Sequence, residues 1–155
     1  MKVLLIILLA FVLFVSGCTQ NEITKKYKYT DLEFQEPSGW DKVFPLKQTL
    51  SDGQTIGPDD ILFVKNNKAI YITRGGSLEE FLEKAREHSE VKTENRSIGK
   101  YNGVWFSIES KSESFMMEGF SFEKKGESYF ITVSTNDVLS EDDVNTFTNI
   151  VESIN

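Results

Sequence analysis

Asn102-Gly103-Val104-Trp105-Phe106-Ser107-Ile108-Glu109 is followed by Phe115-Met116-Met117-Glu118-Gly119-Phe120-Ser121-Phe122-Glu123 and then by Tyr129-Phe130-Ile131-Thr132-Val133-Ser134. β-Branched and aromatic residues dominate these runs, and Lys124-Lys125-Gly126 punctuates the last two. Such runs between turn signals read as antiparallel strands of a meander, which Asn102-Gly103 introduces as a turn. Side chains alternate between the two faces of a strand. Val104, Phe106 and Ile108 thus share one face and Trp105 takes the other. Phe115 and Met117 oppose Met116, Phe120 and Phe122, while Tyr129, Ile131 and Val133 oppose Phe130. A sheet open to water on one side is polar there, and this one is apolar on both. Both faces are therefore expected to be covered by helix or loop.

Two segments carry helical spacing and can supply that cover. Ser77-Leu78-Glu79-Glu80 reads as a capping box, the Ser77 hydroxyl accepting from the Glu80 amide and the Glu80 carboxylate reaching back. Leu78, Phe81, Leu82 and Ala85 follow at i, i+3, i+4 and i+7 as one apolar stripe. Near the C-terminus Ser140 caps, and Glu141, Asp142 and Asp143 suit the positive end of a helix dipole. Phe147, Ile150, Val151 and Ile154 form the second stripe. Farther upstream, Leu32 to Glu36 alternates and ends at Pro37-Ser38-Gly39, with Trp40 after it. Ile61 to Lys65 and Ala69 to Thr73 flank Asn66-Asn67-Lys68, where asparagine tolerates a positive φ, and read as a tight hairpin. Ser51-Asp52-Gly53 and Gly57-Pro58-Asp59 mark a loop region. The fold class is α+β, an antiparallel β-sheet covered by helices, in a single domain over residues 29–155.

That order of elements resembles a known family. A Pro37-Ser38-Gly39-Trp40 turn after the first strand, a hairpin, a Ser77-Leu78-Glu79-Glu80 helix, an Asn102-Gly103 turn into a meander and a closing amphipathic helix are similar to the PsbP-like fold. The resemblance spans Tyr29 to Asn155 and implies an α/β/α sandwich. The fold occurs in the extrinsic PsbP subunit of the oxygen-evolving complex and in many prokaryotic lipoproteins of undefined role. Photosynthetic members support ion retention at their complex. The shared motifs are structural, so no functional residue carries over.

The N-terminus reads as an address. Lys2 is followed by an unbroken apolar run from Val3 to Val15 and by Ser16, Gly17 and Cys18. The run is well short of the roughly 20 apolar residues a membrane-spanning helix needs. A charged start, a short apolar middle and a small-residue exit form the layout of a cleaved export signal over residues 1–17. Val15-Ser16-Gly17-Cys18 resembles the lipobox of bacterial and archaeal lipoproteins, an aliphatic residue, two small ones and a cysteine. Cys18 is the chain's only cysteine, and the resemblance implies that its thiol carries a diacylglycerol. Membrane lipid is then its first partner, with two chains holding firmly where one holds marginally. Residues 18–28 are expected to comprise the lipidated cysteine and a polar tether. The location is extracytoplasmic, on the cell membrane.

Charge narrows the partners further. With 155 residues less the first 17, 138 remain, and 16 Lys and Arg face 24 Asp and Glu, a formal charge of −8. Such a domain is repelled by phosphate backbones, which excludes nucleic acid. Lys25, Lys26 and Lys28 could instead sit against anionic headgroups, though a plain solvated linker accounts for them better.

Residues that carry chemistry are sparse. His88 is the only histidine and sits near a helix C-terminus, where a cation is favourable without further purpose. Asp59-Asp60 suits a turn, Asp142-Asp143 a helix start, and Glu79, Glu80, Glu83, Glu87 and Glu90 the solvated side of the first helix. No segment has the alternating acids and central glycine of a calcium loop. Arg74-Gly75-Gly76 before a helix could cradle an anion or simply provide slack. Trp40, Trp105, Phe120, Phe122 and Phe130 could line a groove but serve a core as well. Asn95-Arg96-Ser97 is a glycosylation sequon, at Asn95. Catalytic, cofactor and metal residues are therefore expected to be none. The expected function is a membrane-anchored, non-enzymatic domain that binds or supports a membrane-associated protein or a small apolar ligand. A carboxylate-dependent envelope hydrolase would need two close carboxylates with displaced pKa values. A purely structural envelope subunit would need a large exposed apolar patch.

Overall fold

The computed structural model describes residues 26–29, 31–43, 48–49, 55–56 and 60–155. The export segment, Cys18, most of the tether and the turn residues 51–53 and 57–59 lie outside the described residues. Among the described residues the elements run in chain order as β1 (Lys26–Tyr29), β2 (Leu32–Gln35), β3 (Asp41–Val43), β4 (Gln48–Thr49), β5 (Thr55–Ile56), β6 (Ile61–Lys65), β7 (Lys68–Arg74), α1 (Leu78–His88), β8 (Ser89–Ile98), β9 (Tyr101–Ser110), β10 (Met116–Lys124), β11 (Glu127–Thr135) and α2 (Glu141–Ser153). Seven strands form one sheet in the order β3-β6-β7-β11-β10-β9-β8, every neighbour antiparallel. β1 and β2 form a separate two-stranded sheet.

Turn chemistry sets the tight connections. β6 and β7 close at Lys65↔Lys68 through Asn66 at φ 55°, and β10 and β11 at Lys124↔Glu127 through Lys125 and Gly126, both with positive φ. Trp40 N–H donates to the Pro37 carbonyl across the expected Pro37-Ser38-Gly39 turn. The Asn102-Gly103 turn is not there. Both residues lie inside β9, and the chain reverses at Gly99-Lys100, between Ile98 and Tyr101. The preceding strand, β8, was not legible: its Ser89–Ile98 sequence is polar on both faces and shows no apolar alternation.

Both faces of the sheet are covered, as the two-sided apolar pattern requires. α1 leaves the third strand of the sheet and leads to the seventh across one face, where Leu82 packs with Phe106, Ile108 and Phe130. α2 and β2 cover the other. There Phe147, Ile150, Val151 and Ile154 meet Leu32, Phe34, Phe63, Ile72, Trp105, Phe120 and Ile131. Each fully buried aliphatic or aromatic side chain contributes about 1.5–3 kcal/mol of apolar transfer, so these clusters hold the layers together. Both caps form. Ser77 accepts from the Glu80 amide at 3.3 Å, while the complete reciprocal box belongs to α2, between Ser140 and Asp143.

Candidate functional site

The most chemically varied surface lies where β8, β9 and β10 run side by side. The register sets Glu94 opposite Trp105 and Arg96 opposite Gly103, and places Trp105 opposite Phe120 on the next strand. The Arg96 guanidinium sits 4.2 Å from the centre of the Trp105 ring, and its Nη2 donates to Glu94 Oε2 at 2.8 Å. Trp105 is anchored from behind by the Phe147 ring, 5.0 Å between centroids. Burial pushes the Glu118 carboxyl above its ordinary range, opposed by the Arg96 charge and by the Trp105 indole N–H, which donates to it. One guanidinium thus pairs with Glu94 over an aromatic floor, its charge also felt by Glu118. Cation–π contact and ion pairing both favour keeping it there.

Beside this cluster is an open hollow of about 470 Å³ lined by Asn95, Arg96, Ser97, Asn102, Gly103 and Val104. Alternation puts Asn95, Ser97, Asn102 and Val104 on the α1 face of the ladder. Ser97 Oγ donates to Asn102 Oδ1 at 2.6 Å, which leaves amide donors and acceptors at the surface. Such groups suit hydrogen-bonded recognition. Glu94 is paired with Arg96, and Glu118 accepts from the Trp105 indole N–H.

The other residues singled out in the sequence fall as follows. Asn95 is exposed, on an edge strand. The His88 side chain is 86% exposed at the end of α1, with Nε2 3.9 Å from Glu87 Oε2. Glu79, Glu80, Glu83 and Glu87 are exposed on α1, but Glu90 belongs to β8, since the helix ends at His88. Gly75 and Gly76 both have positive φ, and the Gly75 amide donates to the Ser128 carbonyl at 2.8 Å, so that amide serves the sheet rather than an anion. Trp105, Phe120, Phe122 and Phe130 are buried in the two clusters and Trp40 packs against the larger. Among the described residues no three His, Cys, Asp or Glu side chains are grouped to hold a metal ion.

Two carboxylates have roles that sequence reading missed. Asp60 accepts from Tyr71 Oη at 2.6 Å and Thr73 Oγ1 at 2.5 Å, both on β7. Asp143, only 7% exposed, receives Lys68 Nζ at 2.5 Å as well as its own cap. A Ser three residues before an acid signals the cap. Nothing in the sequence signals Lys68, which is 75 positions away.

No family model matches this chain, and no curated protein matches it. Among solved structures, a crystal structure from Bacteroides thetaiotaomicron VPI-5482 superimposes with a TM-score of 0.55 at 9% identity, covering 84% of this chain and 47% of that one. The present chain thus spans about half the length of that neighbour. The solution structure of cyanobacterial PsbP (CyanoP) from Synechocystis sp. PCC 6803 matches with a TM-score of 0.49 at 12% identity, over 91% of this chain and 98% of that one. The class the architecture defines is α+β, a seven-stranded antiparallel sheet with a helix on each face. The Bacteroides structure shares this fold, and at such identity it shares the fold alone.

Proposed function

We propose that this chain is a lipid-anchored, extracytoplasmic protein whose PsbP-like domain acts as a non-catalytic binding or accessory module beside the membrane. The observation that carries the reading is Val15-Ser16-Gly17-Cys18 directly after a short apolar run, holding the chain's only cysteine. The element order supports it, since the resemblance is to a family rich in lipoproteins. The start of the first strand at Lys26 agrees with a short tether. Eight residues from Cys18 reach at most about 29 Å even when fully extended, which keeps the domain within reach of membrane-associated proteins. The Arg96–Trp105 surface and the adjoining amide-lined hollow are the groups we assign to recognition of such a partner.

Intact mass of the protein extracted from the membranes of its native host, beside a Cys18→Ala variant, tests the anchor. The expected mass is that of residues 18–155 plus a diacylglycerol, with both the modification and membrane retention lost in the variant. An unmodified mass, with the variant still on the membrane, overturns the proposal.

A further inference from the structure

The two edges of the sheet differ greatly. At one edge β3 offers three residues, Asp41–Val43. At the other, β8 offers ten, Ser89–Ile98, paired along its whole length to β9 and, among the described residues, to no other strand. It contains neither proline nor glycine. A long regular edge leaves a row of backbone donors and acceptors open to another strand. Charges on an edge strand oppose pairing where like faces like across a new ladder and favour it where unlike charges meet. β8 carries both signs in strict alternation on one face: Glu90, Lys92, Glu94 and Arg96. Glu90–Lys92 and Glu94–Arg96 already lie in ion-pair contact along the strand, at 2.9 and 2.8 Å.

We propose that β8 pairs antiparallel with β8 of a second copy of this chain, about a two-fold axis at Thr93, joining two seven-stranded sheets into one. An antiparallel two-fold pairing sets residue i opposite a residue j of the other copy such that i and j are equally far from the axis. With the axis at Thr93, Glu90 faces Arg96 of the second copy and Lys92 faces its Glu94, and symmetry repeats both pairs. Every acid meets a base. Moving the axis to Lys92 sets Glu90 against Glu94, and moving it to Glu94 sets Lys92 against Arg96, both like-charged. On the opposite face, Val91 meets Asn95, and Thr93 meets itself. Axes at Val91 or Asn95 use only two of the four charged residues, whereas the axis at Thr93 sets all four against unlike charges, and charge therefore favours that register. The strand's complementarity is to its own sequence, which is why the partner is a second copy.

Full-length protein, in membranes and in detergent, with native chain as the baseline for any Cys18 cross-link, provides the test. Directly opposed strand residues have Cα atoms about 4.5–5.5 Å apart, within disulfide reach. Thr93→Cys is expected to form a covalent dimer under mild oxidation. Asn95→Cys alone is expected to form none, since its two copies lie about 13 Å apart along the strands. A mixture of Val91→Cys and Asn95→Cys chains is expected to form the mixed dimer. In sedimentation of cysteine-unaltered chains, Glu94→Lys opposes lysine to lysine twice and is expected to raise the dimer Kd about tenfold. Adding Lys92→Glu restores opposition of unlike charges and is expected to return the Kd to about the native value. A native chain that sediments as a monomer, or Thr93→Cys cross-linking no better than Asn95→Cys, overturns the proposal. So does a Glu94→Lys loss that Lys92→Glu fails to rescue. All the substituted positions except Val91 are exposed, and circular dichroism of each variant separates unfolding from loss of pairing.

Discussion

At Gly103 the reason for a glycine is close approach rather than a turn. A Cβ built there collides with the backbone carbonyl oxygen of Ser121 and comes within 2.8 Å of the Phe120 ring. The ring could shift, but the carbonyl is held in the β9–β10 ladder, where Ser121 faces Val104. Gly103→Ala is therefore expected to destabilise the domain by about 3 kcal/mol, the upper range for overpacking, in urea denaturation. A loss below about 1 kcal/mol would mean that the ladder yields and the contact is not tight. The same position explains a misreading. Asn-Gly is a strong hairpin signal because both residues tolerate positive φ, yet a glycine chosen for space is indistinguishable from one chosen for conformation until the neighbouring strand is in place.

On the scale of elements, α2 is tied to the sheet at its first turn. Burial by itself would raise the Asp143 carboxyl. Hydrogen bonds from Lys68 and from the Ser140 side chain and backbone outweigh that and hold it below the usual 3.8. A depressed folded value means that the stabilisation is fully present above pH 3.8 and is lost as pH falls through the lower folded value. Asp143→Asn keeps the shape but removes the charge that accepts from Lys68. It is expected to cost about 2–3 kcal/mol at pH 7, and the gap to native protein should close as both are acidified below 3.8. A constant gap across that range would mean that the ion pair contributes nothing. Helix starts of this kind were legible from Ser140 and three following acids. The partner on β7 was not, since it is brought near only by folding. The same holds for the candidate site: Glu94 and Arg96 sit on a strand with no apolar period, so their approach to Trp105 and Glu118 had no local signature.

On the scale of the whole molecule, the described residues place one seven-stranded sheet between two unequal cores. Phe147 is completely buried at the centre of the larger, against Trp105, and Leu82 is the buried helix residue of the smaller. Phe147→Ala is expected to cost about 3–5 kcal/mol and Leu82→Ala about 2–3 kcal/mol. Because Trp105 and Phe106 are neighbours on β9 facing opposite cores, both variants should unfold in one transition, with tryptophan fluorescence and far-ultraviolet circular dichroism coincident. Separate midpoints for Leu82→Ala would show that the α1 layer melts independently. The sequence by itself determined the antiparallel class, the two-sided cover, the helix stripes with their caps and the turns at Asn66-Asn67-Lys68 and Lys124-Lys125-Gly126, of which the structure takes Lys68 and Lys124 into the flanking strands. Each of these is written in residues close together, through periodicity and backbone preference. Only the tertiary structure decided that Ser89–Ile98 is a strand, that Gly103 lies within one, and that Lys68 meets Asp143. In those cases the determining neighbour is a distant segment, and a polar residue's conformation follows the hydrogen bonds and space that segment provides.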